Sequence, residues 1–213
     1  VHSFPTRRSS DLGLYVHVTT QQVMDAMSPD AQGLLAVVAT DEATGSEALT
    51  AALEGARLVA VLAQAQDPGN AGTIIRAADA AGADAVVLVR GSVDPTAPKV
   101  VRSTAGSLFH LPVVTGVALD DAVTALHNAG LTVLAADGRG DFDLFEAESL
   151  LEAPSAWLLG NEAHGLPSEA LSRADAVVSI PIYGKAESLN VAAAATVCLY
   201  ASARAQAQNS GRS

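Results

Sequence analysis

The 213-residue chain is 49% hydrophobic but only 4% aromatic, enough for one α/β domain with a full core built from Ala, Val and Leu. No apolar run reaches the length of a membrane span and no charged-then-apolar signal segment is visible, so no membrane partner is expected. The net charge of −11, with 12 Lys and Arg against 23 Asp and Glu, argues by itself against a nucleic-acid partner, which is gripped mainly by cations.

Residues 1–12 are basic, Ser-rich and aperiodic, and read as a disordered or foreign leader. Residues 13–56 offer a short strand (Leu14–Val18), a helical stretch (Thr20–Met27), an apolar strand (Leu34–Val38) and an acidic, Ala-rich segment with a turn at Thr44-Gly45. This is too little for an independent domain. From Arg57 onward the pattern is regular: strand Leu58–Leu62, the loop signal Gln66-Asp67-Pro68-Gly69-Asn70, helix Ala71–Ala81 and strand Ala85–Val89. A basic loop or short helix (Pro95–Ser107), strand Leu111–Val114, helix Leu119–Ala129 and strand Leu131–Ala135 come next. After an acidic connection follow strand Ala156–Leu159, a short helix from Ser168, strand Ala176–Ile180 and a long helix from Glu187 to about Gln206. Strands alternating with helices predict an α/β fold with a mostly parallel sheet flanked by helices. Cys198, the single cysteine, lies in the last helix. It excludes an internal disulfide, suits a cytoplasmic setting, and reads as a small buried apolar residue.

Two strand ends discharge polar residues into Gly loops: Leu159-Gly160-Asn161-Glu162-Ala163-His164-Gly165, and Ile180-Pro181-Ile182-Tyr183-Gly184 ahead of Glu187-Ser188-Leu189-Asn190. Open α/β sheets build their sites at such ends. Neither loop is a GxGxxG or P-loop cradle, so a cofactor site of no common nucleotide fold is expected. Simpler readings exist for each residue. Asn70 could cap its helix and Gly82 could end it. Arg76 could be solvated, with Asp79 as its i+3 partner. Glu162 follows Gly160 at the sheet edge, which favours a site role over a plain surface carboxylate. His164 invites a general-base or a metal reading, but no second His, Cys or Asp stands at ligand spacing, so no metal is expected. Ser188 and Asn190 could be capping residues of the last helix, and Ser188 lacks the G-x-S-x-G elbow of a hydrolase nucleophile. Lys185 reads as solvated or as a phosphate contact.

As an ordered set these residues resemble a known family. Asn70…Gly72…Ile75-Arg76…Gly82, then Leu159-Gly160-Asn161-Glu162…Gly165-Leu166, then Ile180-Pro181…Ser188-Leu189-Asn190-Val191-Ala192 look like motifs 1, 2 and 3 of the SpoU (TrmH) family of SPOUT methyltransferases. The likeness spans about residues 57–206, and Arg102-Ser103-Thr104-Ala105-Gly106-Ser107 resembles the family's basic loop after motif 1. Residues 13–56 look like the remnant of an N-terminal substrate-binding domain with its linker, and 57–213 like the methyltransferase domain. The resemblance implies a C-terminal trefoil knot, an exception to the rule against threaded loops. It further implies S-adenosylmethionine as methyl donor, a homodimer, and methylation of a ribose 2′-hydroxyl in rRNA or tRNA. By motif position Gly160, Ile180, Leu189, Asn190 and Ala135 would line the cofactor pocket. Arg76, Asn70, Glu162, Ser188 and Asn190 would form the polar site around the ribose. With most of the RNA-gripping domain missing, weak RNA affinity is expected. Two alternatives remain: a knotted methyltransferase acting on a base nitrogen, and a non-catalytic RNA-binding or assembly module. A nicotinamide enzyme is more distant, because no GxGxxG follows the first strand.

Overall fold

The computed structural model describes residues 16–29, 31, 33–39, 43–161 and 165–210. Contacts divide the chain into two units, Val1–Asp41 and Glu42–Ser213. In the first, α1 (Gln21–Met27) is capped by Thr20, whose hydroxyl accepts from the Val23 N–H at 3.4 Å. Residues 34–38 form no strand, contrary to the sequence pattern, and Leu34 and Val37 are 87% and 84% exposed. A strand needs a hydrogen-bonded neighbour, and the described residues of this unit supply none. Residues 16–18 likewise form no strand; the leader 1–12 lies outside the described residues.

The second unit holds, in order, α2 (Gly45–Ala52), β1 (Leu58–Leu62), α3 (Pro68–Ala80), β2 (Ala85–Leu88), α4 (Pro98–Thr104), a 3-10 turn (Ser107–Phe109), β3 (Val113–Val114) and α5 (Leu119–Asn128). It continues through β4 (Thr132–Ala136), β5 (Phe142–Asp143), α6 (Glu148–Glu152), β6 (Ser155–Leu159), α7 (Ser168–Arg173), β7 (Ala176–Ser179) and α8 (Val191–Ser210). The seven strands pair in the order β3-β2-β1-β6-β4-β7-β5, every pair parallel. Leu49 and Leu53, in and just after α2, are almost fully buried in this unit's core. The sheet-bearing unit therefore starts ahead of the boundary expected at residue 57.

Strand alternation sorts the apolar residues onto two faces. Leu58, Ala60 and Leu62 of β1, with Trp157 and Leu159 of β6, pack beneath α3 and α8. Val59 and Val61, with Ala156 and Leu158, pack against α2 and α5. Each such Leu or Val contributes about 1.5–3 kcal/mol by leaving water. The one tryptophan is fully buried, and its Nε1–H donates to Ser202 Oγ of α8 at 2.9 Å. One turn on, Gln206 donates to the carbonyls of Ala153 (2.9 Å) and Arg57 (3.1 Å). These polar contacts hold α8 against the sheet.

Two elements carry no sequence signal. β5 and α6 lie within the acidic connection, too short for periodicity, and are anchored by buried Leu144 and Leu151. The last helix begins at Val191, not Glu187. Asn190 fixes that start, because its side-chain oxygen accepts from the N–H groups of Ala192 (2.9 Å) and Ala193 (3.4 Å).

β1 and β6 lie side by side. The chain leaves β1 toward β2 on one side, and leaves β6 for β7 on the other. Their C-terminal ends thus form a topological switch point, where open α/β sheets place their ligands.

Candidate functional site

Three loops leave the sheet at that edge. The first, after β1, enters α3 through Asp67, whose carboxylate accepts from the Asn70 N–H at 2.8 Å, with Pro68 at the first helical position. Asp67, not Asn70, is therefore the cap. A carboxylate suits the positive end of a helix, and Pro loses nothing where an N–H has no partner. This leaves the Asn70 side-chain oxygen to accept from Asn190 Nδ2 at 3.1 Å. Residues 120 apart in the chain thus join the first motif to the third. Gly82 ends the helix at φ +73°, as its position suggested.

The second loop closes where Asn161 and Gly165 exchange backbone hydrogen bonds of 3.0 and 2.8 Å. Gly160 permits it: a Cβ there would stand 2.6 Å from Leu166 N and 2.8 Å from Gly165 O. Asn161 Nδ2 also donates to the Gln64 carbonyl at 3.0 Å, tying this loop to the one after β1. Glu162 and His164 lie outside the described residues.

The third loop runs from Ile180 to Asn190. With the ends of β4, β6 and β7 and the first turn of α8 it encloses a cavity of about 730 Å³. Gly160, Ile180, Ser188, Leu189 and Asn190 all line it. Ala135 does not: it is fully buried on the α2–α5 face, and the alternation of β4 turns its neighbour Ala136 toward the cavity instead. Asp137, which follows, also lines the cavity with its side chain only 9% exposed. Its oxygens receive Arg139 Nε at 2.9 Å and Nη2 at 3.1 Å, and those hydrogen bonds hold the carboxyl below its usual pKa. A carboxylate before Gly at a strand end, as in Asp137-Gly138, is the signal in the sequence that points to it.

Arg76 is exposed on α3 and makes no hydrogen bond with any of these residues. Its expected partner Asp79 is engaged elsewhere, 2.8 Å from His110 Nδ1. Hydrogen bonds from Ser107 and then His110 lower the Asp79 pKa. Cys198 is buried in α8, and burial pushes its thiol up to about 12, which removes it from nucleophilic chemistry. Among the described residues no group of three or more His, Cys, Asp or Glu is placed to hold a metal. None of their helices is long and apolar enough to cross a membrane. The geometry is a cavity of small-molecule size, walled partly by backbone, beside a hydrogen-bonded Asn pair.

The profile of the SpoU rRNA Methylase family matches residues 57–200. The chain is 42% identical over 151 residues to the 23S rRNA (guanosine(2553)-2′-O)-methyltransferase RlmP of Bacillus subtilis, covering 70% of this chain and 58% of that protein. It resembles the crystal structure of the SpoU methyltransferase AviRb from Streptomyces viridochromogenes in complex with AdoMet, with a TM-score of 0.64 and 38% identity over 71% of this chain and 60% of that one. The AdoMet-bound rRNA methyltransferase from Sinorhizobium meliloti superposes at a TM-score of 0.74, with 31% identity over 87% of this chain and 70% of that one. The chain spans less than two thirds of the length of RlmP and AviRb.

Proposed function

The chain belongs to the SpoU rRNA methylase family, and on that premise we propose that its second unit transfers a methyl group from S-adenosylmethionine to a ribose 2′-hydroxyl of RNA. The observation that carries this reading is the Asn70–Asn190 hydrogen bond of 3.1 Å at the rim of the 730 Å³ cavity. It joins the first and third motifs beside space for a cofactor. The cavity fits S-adenosylmethionine in chemistry as well as size. Ile180 and Leu189 offer apolar wall, Gly160 adds backbone without a side chain, and the Asp137 carboxylate, bonded by Arg139, lines the same space. When bound, S-adenosylmethionine supplies a methyl activated by its sulfonium.

The chain's own residues would do the rest. Asn70 and Asn190 would fix the ribose so that its 2′-oxygen lies in line with the methyl, and positioning of this kind carries much of such a barrier. The guanidinium of Arg76 suits stabilisation of a developing alkoxide better than removal of its proton. Ser188 would hold the ribose or the neighbouring loop, and Glu162 would orient Arg76 or Asn70. We further propose that the C-terminal part forms the trefoil knot and that the active species is a homodimer. In support of the knot, a Cβ at Gly140 would stand 2.6–2.8 Å from Val177 O, Val178 C and Ser179 N, so the β4–β5 connection presses directly on β7.

Calorimetric titration with S-adenosylmethionine tests the cofactor assignment. Saturable binding is expected, with loss of at least tenfold in affinity for Leu189→Arg, which puts a charge into the cavity wall. Absence of binding by the folded wild-type chain would overturn the methyltransferase reading. Mapping the methyl on modified RNA separates a ribose 2′-oxygen from a base nitrogen.

A further inference from the structure

Two non-glycine residues among those described hold a positive φ, Ala105 at +50° and Gln64 at +60°. Ala105 closes α4, where a left-handed residue is a common way to end a helix. Gln64 has no such reason. It follows β1, and contact between a Cβ and the neighbouring carbonyl makes this conformation unfavourable for any residue but glycine. Strain of this kind persists where surrounding bonds dictate it, and it gathers at functional sites.

The dictating bonds come from both neighbouring strands. The last rung between β1 and β6 runs from the Ala63 N–H to the Leu159 carbonyl at 2.8 Å. Alternation would then put Ala65 on the face of Ala63, against α2 and α5. Instead Ala65 is buried with Leu62 in the cluster beneath α3 and α8, while Ala63 stays in the other. The left-handed step at Gln64 thus carries the chain across the end of the sheet, to the side where Asp67 starts α3. Toward β2, the Ala65 carbonyl accepts from the Val93 N–H at 2.8 Å, and Gln66 Nε2 donates to the Gly91 carbonyl. Toward β6, the Gln64 carbonyl accepts from Asn161 Nδ2 at 3.0 Å. The Gln64 side chain, by contrast, is exposed and makes no hydrogen bond among the described residues.

Asn161 stands where this geometry reaches the cavity. Its backbone exchanges two hydrogen bonds with Gly165, and Gly160, Asn161 and Gly165 all line the wall. Gln64 does not line it and acts only through Asn161. We propose that Gln64 is a positioning residue for the cofactor: its left-handed backbone aims a carbonyl at Asn161 and so sets the closure of the loop after β6. The proposal rests on the methyl-transfer reading for the identity of the cofactor.

The test compares two substitutions at one position. Gly holds a positive φ freely, whereas Val, branched at Cβ, does not. Amide hydrogen exchange at Asn161 and Gly165 reads the loop directly, and calorimetry with S-adenosylmethionine reads the cavity. Gln64→Val is expected to speed exchange at both amides and to weaken binding, each by about tenfold, the scale of one lost hydrogen bond. The amides of β1 should keep their protection, since the opening is local. Gln64→Gly should match wild type in both readouts. Asn161→Ala should reproduce Gln64→Val, and the two together should do no more harm than either alone, as expected of residues acting through one bond.

Equal losses in Gln64→Gly and Gln64→Val would place the role in the side chain and overturn the proposal. Unchanged exchange and affinity in Gln64→Val would overturn it too. So would loss of protection throughout β1, which would make Gln64 a residue of the general fold. A wild type that takes no S-adenosylmethionine, with Asn161 and Gly165 still opening in Gln64→Val, would keep the link between the loops and remove the methyltransferase reading.

Discussion

The two sides of the site are built differently. The side on α3 is preformed: Asp67 caps the helix, Ile74 and Ile75 are buried beneath it, and Gly72 lets α4 lock across it. The opposite side, residues 181–189, makes no hydrogen bond among the described residues, and from Ile182 to Leu189 it is exposed. Only its end is pinned, by Asn190 to Asn70 and to the first turn of α8. A rigid wall facing a loop that few contacts hold suggests that the ligand itself completes the second wall, since loops of low local stability are where binding energy can do ordering.

That contrast can be broken or sharpened by experiment. The largest effect is expected from Gly160→Val, because the added side chain enters the backbone of the loop's own closure; calorimetry should show S-adenosylmethionine binding lost, while thermal unfolding of the sheet remains cooperative. Arg76→Ala should lower kcat by about 100- to 1,000-fold, in the range for removing one charge-stabilising donor, with cofactor affinity unchanged in the same titration. Retained turnover would remove Arg76 from the chemistry. Asn190→Ala should cost about 1 kcal/mol of stability through the lost cap, measured by urea denaturation, and should raise KM by unlinking the two walls. The mildest probe is limited trypsinolysis: within the second unit, cleavage should begin after Lys185 and slow on addition of S-adenosylmethionine, whereas Arg76 in α3 stays uncut. Early cleavage at Arg76 would reverse the assignment of the rigid side.

The same contrast governs how much was readable from the sequence. β1 appears at its full extent because five consecutive apolar residues buried on both faces leave a continuous run. The motif loops were legible as loops, and the residues at Gly160, Ile180, Ser188, Leu189 and Asn190 do line one cavity. Asn70 is readable from the sequence either as a cap or as a site residue, because Asn and Asp serve equally well as caps and only the backbone shows which one comes first. Ala135 was displaced by one residue, which on a strand means the opposite face. β5 and α6 left no trace, since their formation depends on Leu144 and Leu151 finding a core assembled elsewhere. The partner of Asp79 was missed for the same reason: His110 is near only after α4 has crossed α3.

The pairing of β1 with β6 has a consequence for how the protein is made. Leu58 faces Ser155 across the middle of the sheet, so the central strand must wait for a partner synthesised almost a hundred residues later. At about 5–20 residues per second, that is roughly 5–20 s of translation during which one edge of β1 is unpaired. Pairing at such long sequence separation also slows folding once the chain is free. An apolar strand left open for that time is a template for the wrong neighbour, and the nascent chain is most exposed to misassembly before β6 emerges.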